Sequence, residues 1–184
     1  MNAALERVRQ RKFTEAAAAI RSFNEGETFL PGIGLTAEGL EKVHREALHC
    51  LFAGGLPGII GSVTPEVAEL LMVAGAMSLL GAAKAHKEHL PQDLHTGSHL
   101  SNEVAVRMVT FAAMYRQRMA QFRKMGVIHL RIIAVQDGNS GEACAVLNEQ
   151  RFTLDEAPEV PYAGCTCEIG CRCQALAILE EHED

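Results

Sequence analysis

The run Cys165-Thr-Cys167-Glu-Ile-Gly-Cys171-Arg-Cys173 holds four of the six cysteines of this 184-residue chain, and a fifth, Cys144, lies upstream across a predicted hairpin. Two cysteines one residue apart on an extended segment point to opposite faces, so a disulfide within either pair would be strained. A soft divalent metal fits this spacing better, because zinc takes four thiolates in a tetrahedral shell. Gly164 and Gly170 supply the backbone freedom that tight turns need. We therefore predict a structural zinc site, with disulfides and free thiols as the alternatives.

Five cysteines are available for four ligand positions. The favoured set is Cys144, either Cys165 or Cys167, Cys171 and Cys173. Cys144 is included because it would tie the hairpin to the terminal turn and close a longer loop. The local set without Cys144 is the alternative. All five residues are therefore candidate metal ligands.

The charge of the chain is unevenly distributed. The sequence has 23 Asp and Glu residues against 17 Lys and Arg residues, which gives a net charge of −6. The part from Glu142 onward is acidic, whereas the segment before it is rich in basic residues, namely Arg107, Arg116, Arg118, Arg123, Lys124 and Arg131. A nucleic-acid binder with a globally basic surface is therefore disfavoured, although one basic face is compatible with this distribution.

The expected location follows from the N-terminus, which is polar and helix-like and lacks the apolar core and cleavage site of a signal peptide. We expect a reducing compartment such as the cytoplasm, which again favours metal over disulfides. The most apolar run, Leu70 to Ala83, is shorter than the roughly 20 residues of a membrane span. We interpret it as a buried helix.

Residues 1–100 are predicted to form a helical region that is a candidate interface for a partner or an oligomer. Apolar periodicity and capping signals predict three helices. They run over Ala3–Phe23, from a cap at Thr36 to Phe52, and from Thr64-Pro65-Glu66 to about His89. The third helix is rich in Ala and Gly and apolar nearly all round, so neighbouring helices are expected to approach it closely and cover it.

Four histidines follow the third predicted helix within a short span, and they could form a second metal site. Pro91 separates them into two pairs, and no cysteine or close acidic residue completes a shell. We therefore favour exposed loop residues over a metal site for this group, which comprises His86, His89, His95 and His99.

Residues 101–184 are predicted to form a helix followed by a zinc-stapled β-hairpin module. The predicted elements are a helix capped by Ser101 or Asn102 and ending at Met125, a strand over Val127–Val135, a turn over 137–141, a helical turn over Ala143–Leu147, a short strand over Arg151–Leu154, and a last strand or short helix over Gln174–Leu179. The predicted fold class is therefore α+β. It combines a mainly helical N-terminal part with a small C-terminal antiparallel β unit stapled by the zinc–cysteine cluster.

A series of features runs from Ser101 to Cys173. They are an Arg-rich helix, Arg123-Lys-Met-Gly126-Val, a strand, Asp137 in a turn, Cys144-Ala-Val-Leu147, Arg151-Phe152, Asp155-Glu-Ala-Pro158, Pro161 and a terminal Gly170-Cys171-Arg-Cys173. Their order resembles the C-terminal region of the Mu F-like phage head-morphogenesis (minor head protein) family. The Cys-Arg-Cys ending after a proline-containing loop is the most specific feature, and the resemblance covers well under half of the chain.

Two positions depart from the pattern of that family. Gly141 stands where the first cysteine of a Cys-x-x-Cys pair would be, and Cys165 and Cys167 are present where the family often has a histidine. We infer that one of these two cysteines takes over the missing ligand role.

The resemblance implies a minor head component of a phage or phage-like particle, which acts near the portal during head assembly or DNA packaging. Its expected partners are portal or capsid proteins, and its expected location is the cytoplasm of a host cell or the virion. The apolar Leu70–Ala83 helix and the Gly-rich connector before it predict an oligomer. No membrane partner is expected.

Three other classes of function are alternatives. A zinc-bearing nucleic-acid binder would use Arg116, Arg118, Arg123 and Lys124 on phosphates. Clustered cysteines would also suit a redox or metal-sensing protein. An enzyme is disfavoured, because the zinc-deaminase signature and a nucleophile elbow are absent, although Glu168 lies inside the cysteine run.

Overall fold

The computed structural model describes residues 2–24, 37–81 and 98–178. Within these ranges the elements are α1 Asn2–Arg9, α2 Phe13–Asn24, α3 Ala37–Gly54, α4 Pro65–Leu79, α5 Asn102–Lys124, β1 His129–Ile133, α6 Glu142–Leu147, β2 Arg151–Thr153 and β3 Gln174–Ile178. A mainly helical N-terminal part is followed by a small antiparallel sheet with a cysteine cluster beside it. The predicted α+β fold class is confirmed.

The N-terminal segment forms two helices, so the single helix predicted over Ala3–Phe23 is wrong. The break lies at Arg11, which has a φ of 60°. The guanidinium of Arg11 lies 3.9 Å from the centroid of the Phe52 ring, and its Nη2 donates to Glu69 at 2.6 Å. A left-handed residue costs about 1–2 kcal/mol. The contacts of Arg11 to α3 and α4 offset that cost. The periodicity of apolar residues along one helix does not predict such contacts with other helices.

The start of α4 agrees with the sequence prediction, whereas its end does not. The hydroxyl of Thr64 accepts from the N–H of Val67 at 3.4 Å, and Pro65 occupies the first helical position. The helix ends at Leu79, before the predicted end near His89, because Gly81 adopts a φ of 78°. A glycine in this conformation is a common helix stop.

The close approach predicted for the Ala- and Gly-rich helix occurs between α4 and α5. A Cβ atom placed on Gly75 would lie 2.8 Å from Cγ1 of Val109. The α4 residues Leu71, Val73, Ala74, Ala76 and Met77 are buried. The interpretation of this run as a buried helix is therefore confirmed for its described part.

The central helix α5 is buried on two sides. Ser101 caps it by accepting from the N–H of Val104 at 3.4 Å, as predicted. One side packs against α3 and α4, and the other faces β3 and the cysteine run. Six apolar residues of α5 are spaced three or four apart in the sequence and predict an apolar stripe, namely Val104, Met108, Phe111, Tyr115, Met119 and Phe122. Met108 and Met119 of this stripe are buried. The helix also buries apolar residues outside the stripe, namely Ala105, Val106, Val109, Ala112 and Ala113. Of these, Val109 lies against Gly75 of α4.

The sheet has the strand order β2-β1-β3, and both pairings are antiparallel. Leu130 pairs with Phe152 on one side and with Ala177 on the other, and Ile132 pairs with Ala175. Leu130 and Ile132 alternate with Arg131 in the sequence, which predicts a strand with one buried face. In β1, Leu130 and Ile132 are fully buried and Arg131 is exposed, so this alternation is present. The last segment forms a strand, which was one of its two predicted states.

A single hydrophobic cluster joins the helices to the sheet. It includes Leu5 and Leu48 from the N-terminal half together with Ile132, Ala175 and the five clustered cysteines. Among the described residues, no helix is both long and apolar enough to cross a membrane. The cysteine cluster is thus part of the core that positions the sheet on α5.

Candidate metal centre

Three elements bring the five predicted ligands together. Cys144 lies in α6, Cys165 and Cys167 lie in the loop after β2, and Cys171 and Cys173 directly precede β3. All five are free thiols and buried, with at most 5% of each residue exposed. The disulfide alternative is therefore absent from this cluster.

Cys144 is the common member of two groups of three sulfur atoms. One group contains Cys165 and Cys167, the other contains Cys171 and Cys173, and within each group all sulfur atoms lie within 4.8 Å of one another. Cys144 Sγ therefore lies within 4.8 Å of each of the other four. Among the described residues, no His, Asp or Glu joins either group.

Within each group of three, the sulfur atoms are close enough to bind one metal ion together. A tetrahedral zinc with Zn–S bonds of about 2.3 Å places its ligands about 3.8 Å apart. Thiolate ligands also suit Cu(I) and iron–sulfur clusters, so the cluster is compatible with a soft metal and the distances do not identify the element. The choice of zinc and of four ligands among the five stays a prediction.

Backbone N–H groups point at three of the sulfur atoms. Gly141 donates to Cys167 Sγ at 3.0 Å, Tyr162 donates to Cys171 Sγ at 3.4 Å, and Cys167 donates to Cys165 Sγ at 3.4 Å. Such bonds favour the thiolate over the thiol. They are the surroundings that a buried metal–thiolate centre needs, because its net charge is otherwise poorly solvated.

The thiols also hydrogen-bond to one another. Bonds from Cys165 and Cys173 lower the pKa of Cys171, whereas burial raises the pKa of Cys144. Burial opposes this lowering of the pKa of Cys171, because a buried thiolate is poorly solvated, but the hydrogen bonds outweigh it.

Gly141 contacts the segment that contains Thr166 and Cys167. A Cβ on Gly141 would lie 3.3 Å from the backbone nitrogen of Cys167 and closer still to the Thr166 side chain. Because the N–H of Gly141 also meets Cys167 Sγ, this sulfur lies beside the backbone where the family's first cysteine is expected. Of the two substitutes that the sequence leaves open, this contact favours Cys167.

The cysteine run packs against α5. The backbone N–H of Cys171 donates to Met108 Sδ at 3.2 Å, and the side chain of Arg107 donates to the carbonyl of Ile169. Gly170 has a φ of 79°, and a Cβ there would lie 2.8–2.9 Å from the side chains of Val104 and Met108. The predicted requirement for a glycine at this turn is confirmed, and the close packing adds a second reason for it.

An ion pair lies beside the cysteine cluster. Arg172, between two ligand candidates, donates from Nη1 and Nη2 to the carboxylate of Asp137 at 2.7 and 2.6 Å. Asp137 lies in the turn before α6, where its carboxylate also accepts from the N–H of Asn139 at 2.9 Å. The pair thus connects the Cys171–Cys173 segment to the segment that leads to Cys144. Both residues are among the resembling features, but the sequence does not predict that they form an ion pair.

The remaining candidate residues lie elsewhere. His99 is exposed, whereas His86, His89 and His95 lie outside the described ranges. Cys50, the sixth cysteine, lies near the end of α3, where we predict a small buried hydrophobe, and it is only half-buried. Glu168 is exposed.

Most of the arginines considered for phosphate binding already have partners within the chain. Arg116 Nε donates to Glu159 at 2.8 Å, and its Nη1 donates to the carbonyl of Gly55 at 2.7 Å. Arg123 pairs with Asp155 at 3.4 Å. These contacts disfavour a basic face that is free to neutralise several phosphates.

Comparisons with known proteins add no identification. No protein-family model matches the sequence, and no significant match was found among curated proteins or among solved structures. The fold and the site define an α+β protein with a buried five-cysteine centre. The likeness to the Mu F-like family stays an expectation drawn from the quoted residues.

Proposed function

We propose that this chain is a structural, protein-binding component of a phage or phage-like particle, a minor head protein that acts near the portal. In this proposal a Zn²⁺ ion in the cysteine cluster holds the C-terminal unit in shape. The helical half and the sheet then present surfaces to portal or capsid partners.

The Asp137–Arg172 pair is the observation that carries this proposal. The resemblance rests on features that lie far apart along the chain, among them an aspartate in a turn and a terminal Cys-Arg-Cys. These two features contact each other through two hydrogen bonds, with Cys144 and Cys171 nearby. Such convergence supports the view that the resembling residues form one unit.

The loop between the two features is also attached to the same helix. The hydroxyl of Tyr115 donates to the carbonyl of Pro158 at 2.8 Å, and Arg116 binds Glu159. The proline-containing segment of the resemblance therefore lies on α5 beside the cysteine run. This placement supports a stapled module over an isolated metal-binding loop.

The burial of the cysteines supports a structural role over a redox or catalytic one. Reactive cysteines are usually partly exposed, and a catalytic zinc keeps a position open for water or substrate. Here the five residues are between 0% and 5% exposed, and the groups contain sulfur ligands only. A closed all-cysteine shell is the typical structural arrangement.

Co-sedimentation tests the proposed function. The chain would be co-expressed with the portal and major capsid proteins encoded in the same genome, and the particles would be separated on a density gradient. We expect the chain in the fractions that contain portal or assembled heads. Cys50→Ser serves as the matched control for Cys144→Ser, which should lose the association together with the metal. A wild-type chain that stays at the top of the gradient would refute the assignment.

A further inference from the structure

The strand β3 presents an open edge. It is a terminal strand in the order β2-β1-β3, and no described strand pairs with its other side. Its sequence, Gln174-Ala-Leu-Ala-Ile178, has no charge and no proline, and 40% of Leu176 is exposed. Edge strands are normally protected by charges, prolines or bulges, because they can pair with another chain. None of these devices occurs in β3.

A surface cavity lies at the first residues of β3. It has a volume of about 340 Å³ and lies between α5, the Val160 loop and the residues Gln174 and Ala175. Its walls are mainly apolar and include Phe111, Met114 and Val135. Two of these residues are unusually exposed for their type, Met114 at 48% and Val135 at 42%. The cavity is large enough for an apolar side chain from a chain that follows β3.

One arginine beside this cavity lacks an acidic partner. Arg118 lines the cavity, and its Nη1 makes a long hydrogen bond of 3.4 Å to the carbonyl of Ala175. No carboxylate pairs with Arg118 in the part of the chain that the structure describes, whereas Arg116, Arg123 and Arg172 each have one. A guanidinium has five N–H donors, so Arg118 can still bind a carboxylate.

We propose that an extended segment of another protein pairs with the outer edge of β3, inserts an apolar side chain into the cavity and places a carboxylate on Arg118. Arg118 would then leave the carbonyl of Ala175 to the incoming strand. Main-chain pairing of this kind gives affinity, and the pocket beside the strand gives selectivity. A second copy of this chain is a different occupant, which the sedimentation experiment below distinguishes, because Glu180 and Glu181 follow β3 in the sequence. The proposal rests on the proposed interaction function and assigns it a surface and a class of partner.

Peptide selection on the zinc-loaded full chain tests this surface with a defined probe, a displayed library of random dodecapeptides. The consensus peptide, synthesised with blocked termini, would be titrated by fluorescence anisotropy. We expect alternating apolar residues with one Asp or Glu. Binding should weaken about tenfold or more, equivalent to about 1.4 kcal/mol, with Met114→Lys and with Arg118→Glu. The matched control Met125→Lys replaces a methionine that is 68% exposed and outside the cavity, and it should leave binding unchanged.

Two further readouts identify the contact. Replacing the acidic residue of the peptide by Arg should restore binding to Arg118→Glu, and the amides of β3 should exchange more slowly in the complex. The proposal fails if no peptide is enriched, if both cavity variants bind normally, or if protection appears away from β3. It also fails if the chain instead dimerises through β3 in sedimentation experiments. No head protein is used, so these outcomes are independent of the gradient experiment above.

Discussion

The hydroxyl of Tyr115 donates to the carbonyl of Pro158 at 2.8 Å, which fastens the proline-containing loop to the middle of α5. Because the phenol is largely enclosed, its hydrogen bond replaces one to water. Removing it in Tyr115→Phe should lower the free energy of unfolding by about 1 kcal/mol, measured by denaturant titration. Tyr162→Phe is the control, because the hydroxyl of Tyr162 makes no hydrogen bond to the described residues. Equal losses in the two variants would contradict the role of this bond.

The raised pKa of Tyr115 predicts that wild type and Tyr115→Phe respond differently in stability to alkaline pH. Burial raises the pKa of Tyr115 to about 12. In the unfolded chain a tyrosine ionises near pH 10, as its reference pKa of about 10 indicates. Between these values the folded state binds more protons, so stability falls as the pH rises. Wild type should therefore lose more stability than Tyr115→Phe from about pH 10 to 12. Parallel stability profiles for the two proteins would be the opposite result.

The central position of Cys144 predicts that it belongs to every ligand set. Its sulfur lies within 4.8 Å of the other four, so either triplet loses its common member in Cys144→Ser. We expect the bound metal, measured by mass spectrometry of the purified protein, to fall from about one equivalent to none. Cys50→Ser should keep its metal, since Cys50 lies outside the cluster. Retained metal in Cys144→Ser would show that the local set without Cys144 binds it.

The pair of Asp137 and Arg172 should tune the metal site without binding the metal. Groups that hydrogen-bond a metal ligand usually contribute about 10- to 100-fold to metal affinity. Among the described residues this pair hydrogen-bonds no sulfur atom, so we expect Asp137→Asn to lower the affinity by less than about tenfold. Affinity would be measured by competition with a chelator. Glu149→Gln, which alters the separate ion pair with Arg131, is the control. If both variants bind metal as tightly as wild type, the pair has no influence on the centre.

The contact between Gly75 and Val109 predicts that a better helix former is harmful at position 75. Alanine gains about 1 kcal/mol in helix propensity over glycine. Its Cβ, however, would lie 2.8 Å from a Val109 side chain that is 1% exposed and cannot move away freely. Overpacking typically costs about 1–3 kcal/mol. We therefore expect Gly75→Ala to be destabilised.

The double variant Gly75→Ala/Val109→Ala isolates this clash. It should be more stable than the sum of the single effects predicts, because the missing methyl groups of Val109 leave room for the new one. Denaturant unfolding of the four proteins in this cycle gives the coupling. A stabilised Gly75→Ala single variant would mean that propensity outweighs packing at this contact.

Local features of the fold could be predicted from the sequence. The caps at Thr64 and Ser101, the alternation in β1 and the glycine turn at Gly170 depend on neighbouring residues, and each was found. The cysteine cluster was predictable for a related reason, since few other roles suit so many thiols in so short a run. In each case the residues of one short segment are enough to predict the feature.

Features that depend on distant contacts were missed. The interruption between α1 and α2 at Arg11 depends on contacts with Phe52 and Glu69, and the position of the cysteine run on α5 depends on Met108. The apolar stripe identifies one buried face of α5. Ala105, Ala112 and Ala113 are buried outside this stripe, and periodicity does not distinguish such alanines from exposed ones. The Asp137–Arg172 pair joins positions separated by 35 residues, which no local pattern can reveal.

The central strand β1 is synthesised before both of its neighbours, and β3, which completes the sheet, follows directly after Cys171 and Cys173. A ribosome that has made only the chain up to β2 has therefore made neither the last strand nor four of the five clustered cysteines. Sheet closure and completion of the sulfur cluster must then coincide late in translation. Nascent chains that stop early would expose the edge of β1 and would be recognisable to quality-control proteases.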